Sequence, residues 1–193
     1  AQVGNIETIM SERNDKLSGT INIAASSSVG NYILPYLIGA FKKAHPKVLI
    51  NMLVYNTKIV EGMVNDGTVD IGFVEGNVGE SDDILARPWF MDELVVLTAP
   101  ADPLANNESF VLERDLPNSR WIMRERGSGT AAIFREKLKE HLEDVNIVME
   151  MGHPESVKRA VESGVGIACL SALTICREVE NGWLKSLKFE GLD

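Results

Sequence analysis

The strongest candidate for ligand chemistry in the sequence is a run of three serines, Ser26, Ser27 and Ser28. The run lies where a predicted strand ends and a predicted helix begins. Hydroxyl groups and unpaired backbone N–H groups converge at such a junction, and the helix dipole favours negative charge there. The segment therefore suits an anion or a polar ligand oxygen. The structural alternative is that one serine is an N-cap and the others fill a turn.

A second candidate, RERGSGT at 124–130, lies at another predicted strand-to-helix junction. Gly129 would let the backbone approach a ligand closely, while Ser128 and Thr130 offer hydroxyl groups. Arg124 or Arg126 would add a bidentate contact to a carboxylate or phosphate. The segment lacks the lysine of a P-loop and the third glycine of GxGxxG, so neither nucleotide-binding signature is present. A glycine-rich turn with an N-cap is again the structural alternative.

Two single residues complete the candidate ligand site. Glu75 ends the third predicted strand, where its carboxylate would accept hydrogen bonds from a ligand or pair with an arginine. His153 stands near the start of a predicted helix, although a single exposed histidine is more often an ordinary surface residue. We expect Cys169 and Cys176 to be buried free thiols. Because no nucleophile signature or metal-ligand cluster occurs in the sequence, we predict a binding protein without a catalytic residue, metal or cofactor.

Alternating strands and helices must position these residues. From Gly19 to Gly76 the pattern reads strand, helix, strand, helix, strand, with connections short enough to require right-handed crossovers and a parallel sheet. A polar loop and a long extended stretch follow, and the same βαβ pattern resumes from Ser119 onward. Two consecutive α/β units predict two lobes. Ligands bind beyond the carboxyl ends of parallel strands, so the cleft between the lobes is the expected site.

The composition restricts the classes of function. The 193 residues are 45% hydrophobic, which is too apolar for intrinsic disorder. Lys and Arg number 19 against 28 Asp and Glu, a formal net charge of −9, so these residues are not expected to bind DNA or an anionic membrane directly. No apolar run approaches the roughly 20 residues that cross a bilayer, and we expect no signal peptide. A cytoplasmic protein with no membrane partner is predicted.

From about Leu17 to Asp193 the chain resembles the effector-binding domain of LysR-type transcriptional regulators. Six segments in family order carry the resemblance: LSGTINIAAS, YILPYLIGAFKKAHPKV, GMVNDGTVDIGFVEG, DELVVLTAPADPLA, WIMRERGSGT and ESVKRAVESGVGIACLSALTICREVENGWL. The sequences of the GNYILP and RERGSGT segments are most similar to the branch of carbon-fixation and sulfite-reduction regulators. Each segment is weak alone, and their order and spacing give the specificity.

The resemblance implies an α/β fold of two Rossmann-like lobes, like a type 2 periplasmic binding protein, with a small effector in the cleft. Residues 1–16 would be the end of a linker helix, 17–97 the first lobe and 98–193 the second. A winged helix-turn-helix before residue 1 would contact DNA, which reconciles a DNA-binding family with an acidic chain. The effector is expected to be a small anion, such as a carboxylated or phosphorylated metabolite.

The resemblance also implies which residues bind and how the domain assembles. Family positions that commonly contact the effector match Ser26, Ser28 and Ser128, with Thr130 adjacent. A homodimer or homotetramer is expected, with the surfaces at 32–41 and 158–163 as candidates. Two features depart from the family. Ala131 replaces an arginine common in the branch, and the family's returning strand and final helix after EGLD are absent from this sequence.

Two alternatives share the bilobal architecture. A free-standing solute-binding protein of a transport system would have the same lobes, and an export signal would distinguish it. A small enzyme similar to prephenate dehydratase would also use the cleft, and turnover of a cleft ligand would reveal it.

Overall fold

The computed structural model describes residues 17–79 and 83–190, and the predicted linker-helix end at 1–16 lies outside this part of the chain. The first lobe contains a three-stranded parallel sheet with β1 (Gly19–Ser26) between β2 (Val48–Tyr55) and β3 (Ile71–Phe73). Because the three strands run the same way, the residues that follow them emerge at one edge of the sheet. This edge carries the predicted serine run.

Three helices accompany this sheet: α1 (Ser27–Tyr32), α2 (Leu34–Ala44) and α3 (Thr57–Asn65). The sequence predicts Pro35 in the first turn or two of its helix, and the structure places it in the first turn of α2. Proline has no N–H to donate to the carbonyl four residues earlier, so the helical hydrogen bonding is interrupted and α1 and α2 form as separate helices. The apolar side chains of the lobe pack on both sides of β1.

The second lobe has a larger, mixed sheet. Its strands are β4 (Leu94–Thr98), β5 (Ser109–Val111), β6 (Arg120–Arg124), β7 (Asn146–Met151), β8 (Ala168–Ser171) and β9 (Lys185–Glu190). Four of them lie in the order β5-β9-β4-β8, and β6 pairs in parallel with β7. A bridge between Trp121 and Ile167 connects the two groups.

The lobe boundary at 97/98 stays a prediction, and the strand pairing favours an earlier position for it. Strand β4 pairs antiparallel with both β8 and β9, so Leu94–Thr98 belongs to the second sheet. The extended segment before β4 therefore connects the lobes. Periodicity along the chain identifies a strand but does not reveal its partners, which explains the difference.

The helices of the second lobe are α4 (Leu112–Asp115), α5 (Gly129–Lys137), α6 (Pro154–Glu162) and α7 (Cys176–Glu180). The helix predicted after GSGT ends earlier than its apolar pattern suggests, because Lys139–Asp144 continues as a 3-10 helix. The helix predicted over SALTICREVENG is likewise divided into a 3-10 turn at Ala172–Thr174 and the short α7. No helix in the described ranges is long and apolar enough to cross a membrane.

The core of the second lobe is built around Trp121. Its ring lies 5.4 Å from that of Phe110 and 4.8 Å from that of Phe134, and all three side chains are buried. A second buried cluster includes Val157 and Val161 of α6, packed against β4 and β8. These two clusters hold α5 and α6 against the sheet, which fixes the starts of both helices at the edge facing the first lobe.

Candidate functional site

Glu75 connects the two lobes at the carboxyl edge of the first sheet. Ser26 Oγ, at the end of β1, donates to Glu75 Oε2 at 3.3 Å, and Thr130 Oγ1, in the first turn of α5, donates to Oε1 at 3.2 Å. Burial raises the pKa of Glu75 above its ordinary value. The Asp92 carboxylate raises this pKa further, whereas hydrogen bonds from Ser28 and Thr130 oppose the rise. The predicted serines and GSGT segment therefore meet on one carboxylate.

We expect Glu75→Gln to stabilise the domain at about pH 7.5 and to change little at about pH 4. A raised pKa means that the folded state holds the proton more tightly, so stability falls as the pH rises from the unfolded pKa through the folded pKa. Glutamine has no charge to bury, and denaturant unfolding at the two pH values measures the difference. Glu136→Gln, at an exposed position of α5, is the control. A neutral-pH loss of stability would contradict this expectation.

A second contact between the lobes joins the starts of α3 and α5. The backbone N–H of Gly129 donates to Thr57 Oγ1 at 3.1 Å, and the N–H of Lys58 donates to the carbonyl oxygen of Gly127 at 3.1 Å. A Cβ on Gly129 would lie 2.4 Å from the Glu75 carbonyl oxygen, so only glycine permits this approach. Thr57 is a functional candidate that sequence reasoning missed. Its position two residues after a predicted strand was the available signal.

The remaining residues of the RERGSGT segment are already engaged within the second lobe. Ser128 is the N-cap of α5, and its Oγ accepts a 3.4 Å hydrogen bond from the N–H of Ala131. Arg124 is buried and donates to both carboxylate oxygens of Glu125, at 2.9 and 3.2 Å. The guanidinium charge is thus neutralised by its sequence neighbour. A ligand would have to compete with Glu125 for it.

A cavity of about 360 Å³ opens between the lobes beside these contacts. Its wall combines residues of the first lobe with residues that follow β6 and β7, namely Ser27, Asn31, Val54, Tyr55, Asn56, Ile59, Glu125, Gly152 and His153. His153 is the N-cap of α6, where its Nδ1 accepts from the N–H of Glu155, and its Nε2 lies 3.4 Å from Asn31 Nδ2. Ser27 and His153 are therefore the predicted residues that line this cavity.

A buried ionic cluster that sequence reasoning missed lies behind His153. Lys158 Nζ is 2.6 Å from Glu155 Oε1, 2.7 Å from Glu178 Oε1 and 5.1 Å from the ring centre of Tyr32. The hydroxyl of Tyr32 also bonds to Glu155, so the cluster joins α1 to α6 across the lobes. Burial, followed by the Glu155 hydrogen bond, raises the pKa of Tyr32 to about 12. A lysine in a predicted helix gives no sign of such burial.

The structure thus divides the nine predicted site residues into three groups. Ser26, Ser28, Glu75 and Thr130 form the partly buried contact between the lobes, with Gly129 in the adjoining backbone contact. The cavity wall includes Ser27 and His153. Within the second lobe, Ser128 caps α5 and Arg124 forms an ion pair with Glu125.

The cysteine prediction is half correct. Cys169 is buried, and burial raises the pKa of its thiol, which disfavours the reactive thiolate. Cys176 is exposed, because it begins the short helix α7 at the surface. Across residues 17–79 and 83–190 there is no group of three or more side chains suited to hold a metal ion.

Comparison with known sequences gives a consistent family. Residues 14–193 match the LysR substrate binding domain. The chain is 41% identical to the HTH-type transcriptional regulator YeiE of Escherichia coli K12 over 96% of its own length and 61% of that protein. It is 34% identical to the HTH-type transcriptional activator CmpR of Synechocystis, covering 86% of this chain and 54% of CmpR. The chain therefore spans between half and two thirds of these relatives.

The fold agrees with this assignment. The regulatory domain of CcmR from Synechocystis, solved in complex with 2-PG, superposes with a TM-score of 0.81 at 26% identity, covering 91% of this chain and 83% of that one. The effector-binding domain of QuiR, solved with shikimate, gives the same TM-score at 19% identity, with 92% and 83% coverage, and so supports the fold alone. The two-lobed α/β chain belongs to the family of LysR effector-binding domains.

Proposed function

We propose that this domain senses a small anionic effector for a DNA-binding transcription factor in the cytoplasm. The observation that carries the proposal is the convergence of Ser26, Ser28 and Thr130 from two lobes beside an open cavity. Its volume of about 360 Å³ lies within the range of small-ligand sites. The relatives' names, HTH-type regulator and activator, support a DNA-binding segment N-terminal to this domain.

The start of α5 supplies a second reason to propose an anion. Its nine residues begin at Gly129, whose N–H already bonds to Thr57 of the first lobe, whereas the N–H of Ala131 bonds to Ser128. The helix dipole adds positive potential at this end. Arg124 would contribute a full positive charge if the effector displaced Glu125. The proposed contact set is Ser26, Ser27, Ser28, Glu75, Arg124, Ser128, Gly129, Thr130 and His153.

Signal transmission requires that the effector bind one lobe arrangement more tightly than another. The contacts at Glu75, Gly129 and Tyr32 join the lobes, so a ligand that alters them changes lobe geometry. We propose that a homodimer or homotetramer then repositions the DNA-binding heads. The segment at 32–41 exposes Tyr36 and Leu37, which suits an interface.

The double variant Ser28→Ala with Ser128→Ala is expected to weaken effector binding by roughly tenfold or more, since each lost hydrogen bond to an anion costs more than a neutral one. A thermal-shift screen of sulfur oxyanions, sugar phosphates and small carboxylates would identify a ligand, because saturation at about 100 Kd adds about 2.7 kcal/mol. Calorimetry with that ligand then measures the affinity of each variant.

Ser186→Ala is the matched control, because Ser186 lies exposed on β9 in the second sheet. The double variant loses the N-cap of α5, at a cost of about 1 kcal/mol, so circular dichroism must first show that it remains folded. Unchanged affinity in the folded double variant would remove both serines from the site. If no anion in the thermal-shift screen binds, the proposal that the effector is an anion is contradicted.

A further inference from the structure

The hydroxyl groups proposed to receive the effector are already occupied by a carboxylate of the protein itself. Both oxygens of Glu75 accept hydrogen bonds, one from Ser26 in the first lobe and one from Thr130 in the second. The Ser28 hydroxyl also lowers the pKa of the same side chain, so it favours the ionised carboxylate. An effector anion and the Glu75 carboxylate would therefore compete for the same donors.

The charges around Glu75 make this competition severe. Asp92, in the segment before β4, acts on Glu75 as a second negative charge, and its own pKa is raised by burial. Arg124 of β6 is the positive group acting on Glu75, but it is held by Glu125. An anion entering beside an ionised Glu75 would add a third negative charge to a partly buried site, which is unfavourable.

We propose that Glu75 is an internal competitor and specificity-determining residue, which admits the anionic group of an effector only after it binds a proton. The proposal rests on the anionic effector proposed above. A protonated Glu75 has an O–H to donate, so it changes from a competitor into a hydrogen-bond donor to the incoming anion. Glu75 takes the proton from solvent when the anion binds and returns it to solvent when the anion dissociates. Binding is therefore coupled to the uptake of about one proton.

This coupling distinguishes the proposal from a purely structural role for Glu75. A residue that only ties the lobes together predicts that its replacement loosens the cleft and weakens every ligand. An internal competitor predicts the opposite for Glu75→Gln, because the glutamine amide has no charge and can donate to the anion as protonated glutamate does. The sign of the change in anion affinity therefore separates the two roles.

Isothermal titration calorimetry with sodium sulfate is the test, because sulfate remains fully ionised from about pH 5.5 to about pH 8 and its own protonation cannot contribute. Wild type, Glu75→Gln and the exposed control Glu136→Gln are titrated across this range. Two buffers of different ionisation enthalpy at each pH give the number of protons taken up. A loss of sulfate affinity in Thr130→Val would establish that sulfate binds at the contact between the lobes.

We expect wild type and Glu136→Gln to take up about one proton and to lose affinity by up to tenfold per pH unit above the pKa of Glu75. Glu75→Gln should bind sulfate at least tenfold more tightly than wild type at about pH 8, with no proton uptake. A pH-independent wild type without proton uptake, or weaker binding by Glu75→Gln, overturns the inference while leaving the anion site intact. If neither protein binds sulfate or any anion of the panel, the proposed function fails and this inference fails with it.

Discussion

Lys158→Met is expected to lower the free energy of unfolding by about 3–5 kcal/mol, because it removes one partner of a buried ion pair. The Lys158 side chain is 3% exposed and its partner Glu178 is 9% exposed. The variant leaves the Glu178 carboxylate buried without its cation and also deprives the Thr174 carbonyl of a hydrogen bond. Burial opposes the charge on Lys158, yet hydrogen bonds to Glu155 and Glu178 raise its pKa, so the ammonium form is the one lost.

Arg159→Met is the matched control for Lys158→Met. Arg159 follows Lys158 on α6 and pairs with Glu162, but both side chains are largely exposed, so the pair is worth little. Urea denaturation of the two variants gives the comparison. A second variant, Lys158→Met with Glu178→Leu, should recover much of the loss, since it removes both buried charges. Equal, small losses for Lys158→Met and Arg159→Met would show that solvent reaches the cluster.

Gly129→Ala is expected to destabilise the domain by about 1–3 kcal/mol and to separate the lobes, because the added methyl has no space. Its Cβ would lie 2.4 Å from the Glu75 carbonyl oxygen and 2.6 Å from Thr57 Oγ1. Rotation of the threonine side chain relieves the second clash, but the first involves backbone from the opposite side of the cleft. The backbone must therefore move apart, and the Gly129–Thr57 hydrogen bond is lost with it.

Gly62→Ala is the control for this prediction, because Gly62 lies in α3 and a Cβ there meets no atom within 4 Å. Alanine in a helix is favoured over glycine by about 1 kcal/mol, so this variant should gain stability. Small-angle X-ray scattering should show a larger radius of gyration for Gly129→Ala alone, together with weaker binding of the cleft ligand. A Gly129→Ala variant as compact and as stable as wild type would mean that the lobes close less tightly than described.

Predictions that depended on local sequence patterns were largely confirmed. The apolar run GTINIAAS forms β1, the segment at 154–162 forms α6, and NIVMEM forms β7, since each pattern shows its period within a few residues. Capping residues were equally informative: the sequence predicts Asn56 or Thr57 as the cap of α3, and Asn56 caps it through its side chain. Long-range strand pairing was not predictable in this way, so the pairing of β4 with β8 and β9 was not foreseen.

The position of the candidate site was predictable, whereas its internal arrangement was not. Each predicted serine or glycine follows a strand or begins a helix, and parallel strands bring such residues to one edge. The sequence gives no indication that Arg124 is neutralised by Glu125, which makes the RERGSGT segment less positive than its composition suggests. Nor does it indicate that Lys158 is buried, since helical lysines are usually exposed.

The sequence by itself determined the order of strands and helices, the two α/β lobes and the family, because these depend on short-range periodicity and on motifs read in order. Only the tertiary structure decided which hydroxyl groups face the cavity and which bind Glu75. Ser26 and Glu75 are 49 positions apart, and Thr130 and Glu75 are 55 apart. Their meeting depends on how two independently packed lobes close on each other. A partly buried carboxylate between two sets of hydroxyl groups is a product of that closure.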